Sequence, residues 1–168
     1  TFSGTTIAQA DYNLEKAAYD INYYGAKIAK EVCEEFTAKN PNKPRFVAGS
    51  IGPTNVTLSI SPDVNDPGFR NTSFNKMVEA YSEQVKGLIK GGSDLLLVET
   101  IFDTLNAKAA LFAIQDVQTE LGTDLPIMVL SLIHISEPTR RTPITYAVFC
   151  LKNMIIDLLR NDLGNICE

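Results

Sequence analysis

The chain has 168 residues, 45% of them apolar and 21% charged, a balance that indicates one globular domain with an apolar core. Fifteen basic residues against twenty acidic ones give a net charge of −5, which disfavours a nucleic-acid-binding surface. Since no apolar run reaches the length of about 18 residues that a membrane span needs, the sequence predicts no transmembrane segment.

The residues 1–6 lack an initiator methionine and a basic-then-apolar leader, so we expect the chain to begin inside a longer protein, near the end of a strand. A long helix is predicted next, because apolar residues recur at every third or fourth position. We expect this stripe to face a core, and its members are Leu14, Ala18, Ile21, Gly25, Ile28, Ala29, Val32 and Phe36. Asp11 and Asn13 are the candidate N-caps, and the proline-containing run 40–44 ends the helix.

Three short apolar runs predict buried strands, and they lie at residues 45–51, 94–99 and 126–129. Each helix between them has recognisable caps. The N-cap of the first helix is Thr72 or Ser73, and Gly91 ends that helix. The N-cap of the second helix is Asp103 or Thr104, and Gly122 ends it. Strands that alternate with helices across short connections predict a parallel sheet. The pattern by itself leaves a closed barrel and a doubly wound sheet open.

Functional side chains in parallel α/β folds lie just past the carboxyl ends of the strands. Glu99 stands at such a position, where a carboxylate can hold an ammonium group, act as an acid or base, or pair with a neighbouring donor. The turn 49–53 forms either a backbone nest for an anion or a tight turn without a ligand. Asp63 and Asp66 lie in a proline-rich loop, and we interpret them as turn-forming residues rather than calcium ligands.

Two long runs are specific enough to indicate a family. They are Ser-Pro-Asp-Val-Asn-Asp-Pro at 61–67 and Glu-Thr-Ile-Phe-Asp-Thr-Leu-Asn-Ala-Lys-Ala-Ala at 99–110. Together with the shorter runs at 1–6, 47–55 and 125–128, they resemble the homocysteine-binding module, a homocysteine S-methyltransferase module, of cobalamin-dependent methionine synthase.

The resemblance implies an α/β fold, a (β/α)8 TIM barrel with parallel strands, here partial and truncated at both ends because such a barrel needs about 250 residues. It implies methyl transfer from methylcobalamin to homocysteine, whose thiol is activated as a thiolate by zinc bound to three cysteines. By the same resemblance, Glu99 would bind the homocysteine ammonium, and Phe2, Gly52 and Thr100 would line the substrate mouth. The parent enzyme would be cytoplasmic, with methyltetrahydrofolate and cobalamin modules in the same chain, and with no nucleic-acid or membrane partner.

The zinc cysteines of the resembled family have no counterpart in this sequence. Cys33 lies on the first predicted helix, and Cys150 and Cys167 lie in no matching context. We therefore assign no catalytic or metal-binding residue, and we expect the fragment to bind neither zinc nor cobalamin and to be inactive. A related zinc thiol methyltransferase that uses another methyl donor is less similar, especially at 61–67.

The residues from 130 onward resemble the translation of a DNA sequencing adapter, in the two runs 130–140 and 144–151. We therefore predict a domain over 1–129, a fragment of a homocysteine-binding barrel, and a non-native tail over 130–168. The alternative is a non-catalytic small α/β module that binds a small anionic or amino-acid ligand. That alternative requires a genuine tail that supplies the closing strand of the sheet.

Overall fold

The computed structural model describes residues 1–131 and the backbone of residues 147–150. The elements follow one another as α1 (Thr6–Gln9), α2 (Ala18–Lys39), β1 (Ala48–Ile51), α3 (Phe74–Lys90), β2 (Leu95–Ile101), α4 (Thr104–Leu121), β3 (Ile127–Ser131) and β4 (Ala147–Cys150). Two short 3-10 helices, Ala10–Tyr12 and Glu15–Ala17, lead from α1 to α2. Within the described part of the chain, every helix is too short or too polar to cross a membrane.

The sheet has the strand order β1-β2-β3-β4. The strands β1, β2 and β3 are parallel, and β4 is antiparallel to β3. Three parallel strands joined by α3 and α4 confirm the predicted α/β class and the partial barrel of parallel strands. The strand β4 was not predicted, because residues 130–168 were predicted to be a non-native tail.

Within residues 1–131, the helices cover one face of this sheet. The apolar core between sheet and helices contains Ile51, Leu96 and Val98, which alternate along β1 and β2 and so share a face. On the opposite face, Leu97 is half-buried and Ala48 is exposed. Parallel sheets ordinarily bury both faces, and a barrel does so by closing on itself. The uncovered face therefore agrees with part of a barrel rather than with a doubly wound sheet.

The predicted core face of α2 is wrong. Ile28 and Phe36 are 61% and 51% exposed, although both belong to the predicted stripe. Of the predicted stripe the helix fully buries Ala18, and it buries with it two residues outside the stripe, Asn22 and Ala26, at spacings of four. Small side chains are needed there because α2 and α3 lie very close, so that a Cβ added to Gly87 would lie 2.7 Å from the Tyr19 carbonyl oxygen.

The N-cap predicted for α2 is also wrong. The helix begins at Ala18, and the residue before it, Ala17, makes no side-chain capping bond. Asp11 accepts a hydrogen bond from the Asn55 amide at 2.7 Å and so serves a loop contact. Asn13 has a left-handed backbone with φ of 57° and ends the first 3-10 helix. The chain thus makes two short helical turns before α2 starts.

The caps of the later helices are confirmed. The Ser73 hydroxyl accepts a hydrogen bond from the backbone N–H of Lys76 at the start of α3. The Asp103 carboxylate caps α4. Gly122 ends α4 with φ of 64°, a conformation that glycine adopts without steric cost.

Candidate functional site

Glu99 lies at the carboxyl end of β2, on the face of the sheet that the helices leave uncovered. The strand register explains this position. Ser50 of β1 pairs with Leu97 of β2. Glu99 is two residues further along β2, so its side chain lies on the same face as that of Leu97. The Ser50 hydroxyl donates a hydrogen bond of 2.6 Å to Glu99 Oε1. Among the described residues this bond fixes one carboxylate oxygen, so the half-buried carboxylate is held in place at the strand end.

Thr100 adopts a left-handed backbone with φ of 59°. The pairing of β2 with β3 shifts register between Val98 and Ile101, so the strained residue lies in a bulge. A β-branched residue rarely adopts this conformation, which costs on the order of 1–3 kcal/mol and is found preferentially at functional sites. Glu99 lies in the same bulge, next to Thr100.

Phe2 lies directly against Gly52, the residue that follows β1. The Gly52 N–H donates to the Phe2 carbonyl oxygen at 3.0 Å. A Cβ on Gly52 would lie 2.7 Å from the Phe2 ring, so only glycine permits this approach. Since the Gly52 N–H is already engaged, the geometry favours the tight turn over an anion nest for residues 49–53.

A small cavity lies between the ends of β1 and β2. Its volume is about 10 Å³, and Gly52, Tyr81, Glu99 and Asp103 are among the residues that line it. That volume holds about one water molecule, so an amino-acid ligand would lie over the strand ends rather than inside the cavity. The structure thus brings Gly52 and Glu99 to one cavity, with Phe2 on Gly52, whereas Thr100 is adjacent to Glu99 in the chain but does not line the cavity.

Tyr81 supports the turn after β1 from the core side. Its hydroxyl donates to the Gly52 carbonyl oxygen at 3.2 Å. Burial raises the pKa of Tyr81 well above its ordinary value, and the Asp103 carboxylate raises it further. The hydroxyl therefore stays protonated and acts as a donor throughout the neutral pH range.

Asp103 ties the loop after β1 to the start of α4. Its Oδ2 accepts from the backbone N–H groups of Leu58 at 3.0 Å and Ser59 at 2.8 Å. Its Oδ1 accepts from the Ser59 hydroxyl at 2.7 Å and from the N–H groups of Leu105 and Asn106. Burial alone would raise the pKa of Asp103, but the hydrogen bonds from Ser59, Asn106 and Leu105 hold that pKa below its ordinary value. The carboxylate is therefore ionised although it is only 4% exposed.

Asn106 holds the same loop, and its role was not predicted from the sequence. Its Oδ1 accepts from the Leu58 N–H at 3.0 Å, and its Nδ2 donates to Thr54 Oγ1 at 3.1 Å and to the Val56 carbonyl at 2.9 Å. These partners lie about fifty residues earlier in the chain, at separations of 48, 52 and 50 residues. The signal available in the sequence was an asparagine in the first turn of a predicted helix, and that signal does not identify the partner.

Asp63 and Asp66 form turns, as predicted. Asp63 Oδ1 accepts from the Asn65 N–H at 2.8 Å, and Asp66 Oδ1 accepts from the Gly68 N–H at 3.0 Å. Each bond spans two residues, which is the pattern of an Asx turn. Both carboxylates therefore shape their own loop.

The described residues do not supply the three zinc-binding cysteines that the family resemblance implies. Within these residues, no group of three histidine, cysteine, aspartate or glutamate side chains is arranged to hold a metal ion. Cys33 is half-buried on α2, beside a cavity of about 500 Å³ that Lys30 and Phe46 also line. The side chains of Cys150 and Cys167 lie outside the described residues.

Comparison with known proteins assigns the family. The sequence model of the family described as homocysteine S-methyltransferase matches residues 1–153. The chain is also similar in structure to the homocysteine methyltransferase MmuM from Escherichia coli, crystallised in a metallated form, with a TM-score of 0.55 and 21% sequence identity. That match covers 75% of this chain and 42% of the other, so this chain spans less than half the length of that protein. At this identity the structural likeness shows a shared fold, and the family match extends over most of the sequence: the chain belongs to the homocysteine S-methyltransferase family.

Proposed function

We propose that this chain is part of the homocysteine-binding domain of a cobalamin-dependent methionine synthase, a cytoplasmic 5-methyltetrahydrofolate–homocysteine methyltransferase. Membership of the family supports methyl transfer to homocysteine in general. The runs 61–67 and 99–110 support the cobalamin-dependent branch, in which methylcobalamin on a separate module is the methyl donor. Zinc, if the parent enzyme uses it, would be bound by cysteines outside the described residues.

The observation that carries this proposal is the position of Glu99. A carboxylate fixed by Ser50 at a strand end is suited to pair with the ammonium group of an amino acid. The strained backbone of Thr100 supports a functional role for the same strand end. Phe2, packed on Gly52, offers an apolar wall nearby for the methylene groups of homocysteine.

We further propose that residues 1–129 carry only the amino-acid-recognition half of the site. These residues include the carboxylate that would pair with the ammonium group. The described residues contain no group of side chains arranged to hold the metal ion that would activate the thiol. Since the thiolate is the attacking form of homocysteine, this fragment is expected to bind the amino acid without transferring a methyl group.

The change Glu99→Gln should weaken homocysteine binding about tenfold or more, because a hydrogen bond to a charged group contributes about 1.5–3 kcal/mol. Isothermal titration calorimetry or ligand-observed NMR on the full chain would measure the dissociation constant. Glu79→Gln is the matched control, since it removes the same charge from an exposed position on α3.

Equal affinities in the two variants would place the ammonium site elsewhere. Binding of small anions that lack an ammonium group, unchanged in Glu99→Gln, would favour the alternative, a non-catalytic α/β module. Methionine, which has the same ammonium and carboxylate groups, should bind about as well as homocysteine if only this half of the site is present.

Genomic DNA read across the codons for 128–151 should depart from this sequence after Val129, because the residues that follow resemble an adapter. We expect the native frame to continue with one cysteine and then a cysteine pair, and to encode a cobalamin module further on. The measurement is primer-based sequencing without added adapters. The family match continues to residue 153, past the proposed boundary, so the same codons found in the genome would contradict the proposed tail and favour the alternative module.

A further inference from the structure

The side chains of Ser50 and Glu99 meet on the uncovered face of the sheet. Ile51 of β1 is fully buried in the core, so the side chain of its neighbour Ser50 points to the opposite face. Ser50 and Glu99 are both half-buried, which leaves part of each side chain open to solvent. A ligand that reaches the Glu99 carboxylate therefore also reaches the Ser50 hydroxyl, which lies 2.6 Å from Glu99 Oε1.

The backbone of Ser50 is fixed independently of its side chain. Its Cα pairs with that of Leu97 in the parallel ladder between β1 and β2. Its carbonyl oxygen accepts from Thr1 Oγ1 at 3.1 Å and from the Nε2 of the buried Gln84 of α3 at 3.5 Å. A hydroxyl on a backbone held in this way stays in position without help from a ligand, which is the property of a preorganised binding group.

A second serine–carboxylate pair shows what is different about Glu99. The Ser59 hydroxyl donates to Asp103 Oδ1 at 2.7 Å, and backbone N–H groups donate to both oxygens of the same carboxylate. Because a carboxylate has about four acceptor positions, Asp103 has none to spare for a ligand. Within residues 1–131, by contrast, Glu99 receives its hydrogen bond from Ser50 at Oε1, and Oε2 receives none.

The bond to Glu99 uses the single proton of the Ser50 hydroxyl, so the lone pairs of Ser50 Oγ are left to accept hydrogen bonds. Glu99 Oε2 is an acceptor as well. The pair therefore presents acceptors to a ligand and keeps its donor for itself. An ammonium group, which has N–H donors and no acceptor, complements such a pair. A carboxylate or a thiolate would face oxygen lone pairs and a negative charge, so the pair disfavours the other two polar ends of homocysteine.

We propose that Ser50 is a second ammonium-binding residue, whose Oγ accepts one N–H of the amino-acid ammonium while Glu99 Oε2 accepts another. This inference rests on the proposed function of Glu99 and adds a residue to the same site. Two acceptors on neighbouring strands fix the ammonium at two points. Ser50 thereby determines which end of the amino acid lies at the strand ends, and it makes the site selective for a ligand with a free α-ammonium group.

Titration of the full chain with homocysteine, followed by calorimetry or ligand-observed NMR, tests the proposal. Ser50→Ala should weaken binding about five- to tenfold, because it removes a hydrogen bond to a charged group. Ser50→Thr keeps a hydroxyl on the same face of the strand and should bind within about twofold of the wild-type chain. The analogue of homocysteine that lacks the ammonium group, γ-mercaptobutyrate, should bind the wild-type chain and Ser50→Ala equally.

Ser59→Ala is the matched control, because it removes a hydroxyl from the serine–carboxylate pair that has no acceptor position to spare. We expect a lower urea midpoint and unchanged affinity for homocysteine in this variant. The double change of Ser50→Ala with Glu99→Gln separates direct contact from a role that Ser50 exerts through Glu99. A further loss of affinity relative to Glu99→Gln alone supports direct contact with the ammonium.

The outcomes separate this inference from the proposed function. Wild-type affinity in Ser50→Ala, together with the expected loss in Glu99→Gln, would overturn the role of Ser50 and leave the proposed function in place. An equal loss for γ-mercaptobutyrate, or no further loss in the double variant, would overturn it too, because Ser50 would then only hold Glu99. Failure of homocysteine to bind the wild-type chain would overturn the proposed function and this inference together.

Discussion

Replacement of Asp103 by alanine should lower the free energy of unfolding by about 3–5 kcal/mol. The change leaves the Ser59 N–H and the Ser59 hydroxyl without their acceptor, and each such loss costs about 1–3 kcal/mol. The Leu58 N–H keeps Asn106 Oδ1 as its acceptor. The change also removes the N-cap of α4, which contributes about 1 kcal/mol. The individual losses do not add fully, since all involve one carboxylate. Urea denaturation followed by circular dichroism measures the difference.

Asp63→Ala is the matched control, because Asp63 also accepts a backbone N–H but is exposed. We expect a change within about 0.5 kcal/mol there. An equally small change in Asp103→Ala would show that the loop after β1 is held by other contacts.

The same carboxylate predicts a dependence on pH. The folded-state pKa of Asp103 lies below the ordinary value, so its stabilisation is present above the ordinary pKa of about 3.9 and is lost as the pH falls through the folded-state pKa. The wild-type chain should therefore lose more stability on acidification than Asp103→Ala loses. Parallel losses in the two chains would contradict the lowered pKa.

Gly87→Ala should destabilise the chain by about 2–3 kcal/mol, although alanine ordinarily stabilises a helix by about 1 kcal/mol relative to glycine. The added Cβ would lie 2.7 Å from the Tyr19 carbonyl oxygen and 2.9 Å from Asn22 Cβ. A backbone atom cannot move alone, so α2 would have to shift away from α3 as a unit. The loss of stability is measured as a lower urea midpoint.

Gly25→Ala separates this contact from intrinsic helix propensity. Both glycines lie within helices, but the Cβ of the second variant would meet only the methyl group of Thr1, at the end of the chain. That neighbour can turn aside, so Gly25→Ala should be neutral or slightly stabilising. Equal destabilisation by both variants would rule out the backbone contact as the cause.

The elements of this fold that depend on local chemistry were predictable, and those that depend on distant partners were not. Ser73, Asp103 and Gly122 cap helices through bonds to residues two to four positions away, so their residue types were sufficient. The buried face of α2 is decided by Gly87, more than sixty residues later in the chain. The periodicity of large apolar residues therefore indicated the wrong face.

The candidate site shows the same division. Glu99 was predicted from its place after an apolar run, because strand ends are functional positions in parallel folds. Its bond to Ser50 depends on the register of two strands and on a separation of 49 residues. The bonds by which Asp103 and Asn106 hold the loop after β1 were not predicted, for the same reason. A capping pattern identifies the capping residue, but it does not identify a distant loop that the same side chain binds.

The uncovered face of the sheet has a consequence for calorimetry. Leu95, Leu97 and Met128 are only partly buried in the folded chain, and Ile28 and Phe36 of α2 are exposed. The heat capacity change of unfolding is set by the apolar surface that becomes newly hydrated, and these side chains are already partly hydrated. The heat capacity change should therefore fall below the usual value of about 12–15 cal/mol/K per residue. The stability curve of this chain is then shallower than that of a closed domain of the same length, and cooling changes its stability less.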